Sequence, residues 1–138
     1  MNVRSANERV LAMVACLVAI GAGLACRYGL SGMAAKYVGV ALWSTEVYAI
    51  ARVVRPFARV SRVAIVTLAV SWGVEFAQLT PVPVWLSSQH VVLRLVFGTT
   101  FSVLDLPAYA AGVGLAAAIH AATRRMRCAR VRTLPLDP

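Results

Sequence analysis

Apolar residues in this chain gather into four long runs. The first is Val10 to Cys26, 17 residues without a charge. The second is Tyr37 to about Val54, interrupted by Glu46 and Arg52. The third is Val63 to Leu79, with Glu75 near its end, and the fourth is Val103 to Ala122, with Asp105 near its start. At 1.5 Å per helical residue, each is about 25–30 Å long, enough to cross a hydrocarbon core. Charges and helix breakers bound the runs. Arg27 and Lys36 flank the first gap, Arg55, Pro56, Arg59 and Arg62 fill the second, and Pro81 and Pro83 close the third run. The pattern predicts an all-α integral membrane bundle of four transmembrane helices, a single domain over residues 1–138 with a basic tail at 123–138.

The stretch from Thr80 to Ser102 is long for a hairpin loop. Its second half, Val91 to Phe97, is apolar except for Arg94. It reads as a loop followed by a short interfacial or re-entrant helix between the third and fourth spans. Trp85 suits the headgroup level there.

Composition agrees with lipid as the solvent. Hydrophobic residues make up 60% of the chain and charged residues 14%, against roughly 25% charged in a soluble domain. The net charge of +9 raises the question of nucleic acid. The arginines lie at the ends of apolar runs, however, which is how a membrane protein sets its orientation, so no nucleic-acid partner is expected. With the N-terminus inside, eleven basic residues fall on the inner side. Only Arg27, Lys36 and Arg94 fall on the outer side. Both termini are therefore expected in the cytoplasm of a multi-pass cell-membrane protein. The five arginines between Arg124 and Arg132 add attraction to anionic lipid.

The first run imitates a signal peptide, with a basic start and Gly23-Leu24-Ala25 before Cys26. Gly23 stands where a lipoprotein site has a large aliphatic residue, and the apolar core is longer than most signal cores. A retained helix is expected. Cys16, Cys26 and Cys128 form no metal or disulfide pattern. Cys128, in the basic tail, is a weak S-acylation candidate. Neither a metal nor a cofactor is expected, and no nucleophile elbow, P-loop, dinucleotide fingerprint or HExxH motif is present, so no catalytic residue is assigned. Small residues are dense, with Gly21/Ala25 and Ala110/Gly114 at four-residue spacing. Close helix packing within one bundle is the first expectation from these pairs, and a homo-oligomer is the rival.

Carboxyls at membrane depth are the functional candidates, because each costs several kcal/mol unless paired, protonated or wet. Glu75 and Gln78 share a helix face. Either they form a polar face turned into the bundle, or Gln78 caps the helix end while Glu75 pairs with Arg94. Asp105 followed by Leu106-Pro107 is a helix-start signal, so capping is its first expected role. Tyr109 lies one turn further on the same face. Arg94 is the expected counter-charge for Glu75 or Asp105. Glu46 is mid-span, six residues from Arg52, and needs a partner on another helix. His90 reads as a loop residue and His120 as an interfacial one.

In order along the chain, Lys36-Tyr37-x-Gly39-x-Ala41-Leu42-Trp43, Glu75-x-x-Gln78 and Gly98-x-x-Phe101-x-x-x-Asp105-x-x-x-Tyr109-x-x-Gly112 resemble the bacterial membrane family filed as domain of unknown function 2809. The resemblance runs from about Arg27 to Ala118 and implies a small polytopic membrane protein without an assigned activity. It marks Lys36, Tyr37, Gly39, Trp43, Glu75, Gln78, Phe101, Asp105 and Tyr109 as signature positions. Val40 stands where that family commonly has an acid. A looser likeness links the Glu-x-x-Gln…Arg…Asp order to VanZ-like proteins of the cell envelope, with Tyr109 in place of their asparagine. Three functions follow as expectations. The first is an outer-facing cluster of Glu75, Gln78, Arg94, Asp105 and Tyr109 that binds a membrane lipid, headgroup or small ligand. The second is a proton-coupled or transport component acting as an oligomer, with Glu46 in the path. The third is a structural role, with the polar groups as caps and glue.

Overall fold

The computed structural model describes residues 3–29, 31–98 and 100–132, without side-chain detail for 3–6, 24, 27, 28, 95 and 127–132. Described residues form six helices and no strand: α1 (Val3–Gly29), α2 (Gly32–Val54), α3 (Val60–Ala77), α4 (Val82–Gln89), α5 (Val91–Phe97) and α6 (Asp105–Arg132). The four apolar runs become α1, α2, α3 and α6, each shifted or extended at its ends by polar residues that continue the helix. The segment after the third run holds two short helices where one was expected. The basic tail continues α6 through residue 132, and the suggested modification at Cys128 falls on a side chain outside the described ones.

Local chemistry sets the breaks. After α2 the Arg55 amide closes the last turn on the Ala51 carbonyl, and Pro56 follows without an amide hydrogen to extend it. Thr80 turns its hydroxyl back on the Ala77 carbonyl after α3. Pro81 and Pro83 then start α4, where a missing amide hydrogen costs nothing. His90 separates α4 from α5 by accepting the Val92 amide on Nδ1. Gly98 ends α5 at φ 61°, a left-handed conformation suited to glycine.

Helices α2 and α6 form the centre. α3 packs against both, α1 lies along α2, and α4 pairs with α5 as a hairpin. The α2–α6 contact is close because Gly112 has no side chain: a Cβ there would meet the Ala41 carbonyl and the Ser44 hydroxyl. Ser44 Oγ lies 3.1 Å from the Tyr109 carbonyl and Thr45 Oγ1 lies 3.2 Å from that of Gly112, so α2 donates hydrogen bonds directly to the α6 backbone. The small-residue pairs singled out from sequence are not this contact. Gly21, Ala25, Ala110 and Gly114 are all exposed.

The distribution of polarity is inverted relative to a soluble protein. Ser44, Arg52, Thr67, Ser71, Glu75, Asp105 and His120 are buried, while Leu17, Val18, Ile65, Trp85, Leu115 and many other apolar side chains are exposed. The small apolar core is Tyr48, Val63 and Val113, filled around by alanines and Leu68. Among the described residues two helical stretches, Val60–Ala77 and Asp105–Met126, are long and apolar enough to cross a membrane.

Candidate functional site

Where α3 ends and α6 begins, Glu75 is fully buried. Its Oε1 accepts the Ser102 amide at 2.6 Å and its Oε2 accepts the Tyr109 hydroxyl at 3.0 Å. Both carboxylate oxygens are thus held, one by the loop that leads into α6 and one by α6 itself. Tyr109 is kept in place by the Trp43 ring of α2, 5.6 Å away at a 58° tilt.

Asp105 and Tyr109 are one helical turn apart, and they reach different neighbours. Asp105 turns to α2, where Lys36 Nζ lies 2.9 Å from Oδ1. The Asp105 side chain is 8% exposed and that of Lys36 is 47% exposed, so the ion pair has a dry side and a wet side. Lys36 also sits 5.4 Å from the centre of the Tyr37 ring. Around these groups, Phe101 stacks on Phe76, and Trp72 Nε1 donates to the Leu106 carbonyl at 3.2 Å.

Gln78 joins the hairpin to the bundle. Its Nε2 donates to the Phe97 carbonyl at 2.7 Å, and the amide fills the space that a Cβ on Gly98 would take. Ser87 of α4 donates to the Gly98 carbonyl. The loop between α5 and α6 is therefore held from three sides, by α3, by α4 and by Glu75.

Glu75, Gln78, Asp105, Tyr109, Lys36, Trp43 and Phe101 come together as one region, with Tyr37 at its rim. Arg94 does not join them. It is exposed, and the ion pairs among the described residues are Lys36–Asp105 and Arg52–Glu8. Lys36 takes the role expected of Arg94, because α2 packs on α6 whereas α5 packs chiefly on α4. The Asp105 carboxylate makes no capping bond to the helix amides; the lysine takes it instead. Glu46 lies elsewhere, facing Cys16 of α1, with Oε1 buried and without a hydrogen-bond partner. Among the described residues no group of three His, Cys, Asp or Glu side chains could hold a metal ion.

A second buried network went unseen in sequence. Arg52 donates from one guanidinium nitrogen to Glu8 Oε2 at 2.7 Å and from the other to His120 Nε2. The opposite ring nitrogen, Nδ1, lies 2.7 Å from the Tyr48 hydroxyl. Arginine can only donate, so Nε2 accepts and a neutral His120 carries its proton on Nδ1, directed at Tyr48. His120 is only 8% exposed, buried between α6 and the Tyr48–Arg52 face of α2. The four-residue spacing of Tyr48 and Arg52 on one face of α2 was a sequence signal for this network.

An all-helical protein with an apolar exterior and a buried polar interior is the class that fold and site define. Residues 30–113 match the model of the family described as Protein of unknown function (DUF2809). That is more than half of the 138-residue chain, and the chain belongs to this family. The matched stretch holds the whole Glu75–Tyr109 and Lys36–Asp105 cluster, while Glu8 and His120 fall outside it. No curated protein and no solved structure matches the chain, and nothing in these comparisons supports the VanZ-like likeness.

Proposed function

We propose that this is a four-span membrane protein, spanning with α1, α2, α3 and α6, both ends cytoplasmic, whose outer polar cluster is a structural lock. The lock holds the α4–α5 hairpin and the loop into α6 against the outer end of the bundle. One observation carries this reading: Glu75 is wholly buried and both its oxygens are already engaged by the protein. A carboxylate kept for a ligand would have an oxygen to offer.

The spans rest on length, surface and charge. α1 has 27 residues and α2 has 23, about 40 and 35 Å of helix. Their outward faces carry Leu11, Val14, Leu17, Val18 and Ile50. The basic residues gather at the end shared by the start of α1, the α2–α3 turn and the end of α6, which the positive-inside rule assigns to the cytoplasm. At the other end the exposed Val82, Val84, Trp85, Val91 and Val92 of the hairpin suit the interface.

Glu75→Ala tests the lock. It leaves the Ser102 amide and the Tyr109 hydroxyl without their acceptor, each worth about 1–3 kcal/mol when buried. The purified variant in detergent is expected to unfold at a lower temperature and to be cut by protease between α3 and α6. An unchanged unfolding temperature and digestion pattern refutes the lock. A second reading, in which the same end takes an anionic lipid headgroup, draws on the half-exposed Lys36 ammonium. It requires that Lys36→Gln lower headgroup binding without lowering stability. The transport reading draws on the buried, unpartnered oxygen of Glu46, and it requires an oligomer in detergent and a flux abolished by Glu46→Gln.

A further inference from the structure

α1 and α6 both flank α2 at its cytoplasmic end, and between them lies a cleft of about 440 Å³. That volume falls within the range of small-molecule pockets. The lining changes along its length. Toward the membrane interior it is apolar, with Leu11, Val18, Leu42 and Ile119 among the walls. At the cytoplasmic end the lining is Arg52, His120, Arg124 and Glu8, with Thr123 beside them.

This end is electropositive. Two guanidinium groups face one carboxylate, and Glu8 Oε2 is already bound by Arg52. Arg124 is exposed and belongs to neither ion pair among the described residues. Arg52 is 7% exposed, and its Nε is buried with no acceptor. The terminal nitrogens of Arg52 already hold Glu8 and His120, so Arg124 is the guanidinium open to an incoming anionic oxygen, and Arg52 adds its charge from behind. An apolar trough that ends at two arginines, one of them exposed, matches a molecule with a hydrocarbon chain and a phosphate at one end.

We propose that the α1–α2–α6 cleft is a binding site for one anionic phospholipid of the inner leaflet, with an acyl chain along Leu11, Val18 and Ile119 and the phosphate at Arg124, in the field of Arg52. The proposal rests on the four-span reading for its leaflet, but not for its chemistry. The negative surface potential of the cytoplasmic leaflet concentrates such lipids near the basic end of the bundle.

The test uses the full-length protein in a neutral detergent, with bound lipid counted by native mass spectrometry. Phosphatidylglycerol, phosphatidylcholine and inorganic phosphate are the probes. Phosphatidylglycerol is expected to bind at one site, several-fold tighter than phosphatidylcholine, and inorganic phosphate to compete weakly or not at all. Arg124→Gln, a change at an exposed side chain, is expected to reduce phosphatidylglycerol binding about five-fold, the scale of one basic group near a membrane surface. Val18→Trp, which fills the trough from an exposed position, is expected to reduce binding of both lipids. Arg94→Gln, at an exposed side chain of the other end, is expected to leave lipid binding unchanged. Equal affinity for the two lipids overturns the proposal. So does indifference of phosphatidylglycerol binding to both cleft variants, or full displacement by inorganic phosphate. Reporter fusions that place the N-terminus outside would overturn the leaflet assignment and the four-span orientation, while a phosphatidylglycerol preference in detergent would still stand for the cleft.

Discussion

Glu75 survives in the interior because two donors reach it from fixed backbone and ring positions. Removing either donor leaves a buried oxygen unpaired, so the cost should follow burial more than charge. Tyr109→Phe keeps the ring against Trp43 and removes only the hydroxyl. It should lower stability by about 1–3 kcal/mol, read as a lower unfolding temperature in detergent. Lys36→Gln breaks an ion pair whose lysine is half in solvent, where such pairs are worth about 0–1 kcal/mol. Its unfolding temperature should fall less than that of Tyr109→Phe. The reverse order would mean that the Lys36–Asp105 pair, and not the Glu75–Tyr109 bond, holds this end together. Of these residues, Glu75, Asp105 and Tyr109 were legible in the sequence as polar groups in apolar runs. Their partners were not. Ser102 contributes a backbone amide, which every residue but proline has, and the counter-charge expected at Arg94 went to Lys36 once α2 packed on α6.

At the scale of the helix, Gly112 and Gly114 make a matched comparison. Both are helical glycines of α6, two residues apart, and the four-residue pairing of small residues singled out Gly114 and not Gly112. Gly112 meets α2 with no room for a Cβ, and Gly114 faces open space. Gly112→Ala pushes a methyl into the Ala41 carbonyl and the Ser44 hydroxyl. It should destabilise by about 1–3 kcal/mol, the usual scale of overpacking. Gly114→Ala adds no contact within the chain and improves helix propensity by up to about 1 kcal/mol. Thermal unfolding of the two variants should therefore move in opposite directions. A loss of stability at Gly114→Ala would point to a second copy of the chain packed on that face. The dense small residues of α6 showed that close approach was available. Which face used it depended on the rotation of α6 about its axis, set by where Tyr109, Val113 and His120 meet α2 and α3.

At the scale of the whole molecule, polarity is placed the opposite way from a water-soluble bundle, and the two ends are chemically distinct. One end carries the Glu75 cluster and the α4–α5 hairpin. The other carries the arginines, the His120 network and the cleft. If four helices span, the ends lie on opposite sides of the membrane. A fluorescent protein fused after residue 138 should then be bright and alkaline phosphatase at the same position inactive. An active phosphatase at the C-terminus would reverse the orientation or remove a span. The four long helices and the positive asymmetry between the ends were legible because hydrophobicity and charge are properties of sequence segments; the split of the short segment into α4 and α5 was not.

What sequence alone determined about this protein is the set of elements: four long apolar helices, an irregular segment before the last, and carboxyls that had to find partners. Each follows from local composition, since a long apolar run has few other ways to satisfy its backbone in lipid. What only the tertiary structure decided is the pairing. Glu75 met Tyr109 and the Ser102 amide, Asp105 met Lys36, and Arg52 met Glu8 and His120 across separations of 27 to 69 residues. Such pairings depend on which helices adjoin and how each is rotated, and hydropathy carries no information about either.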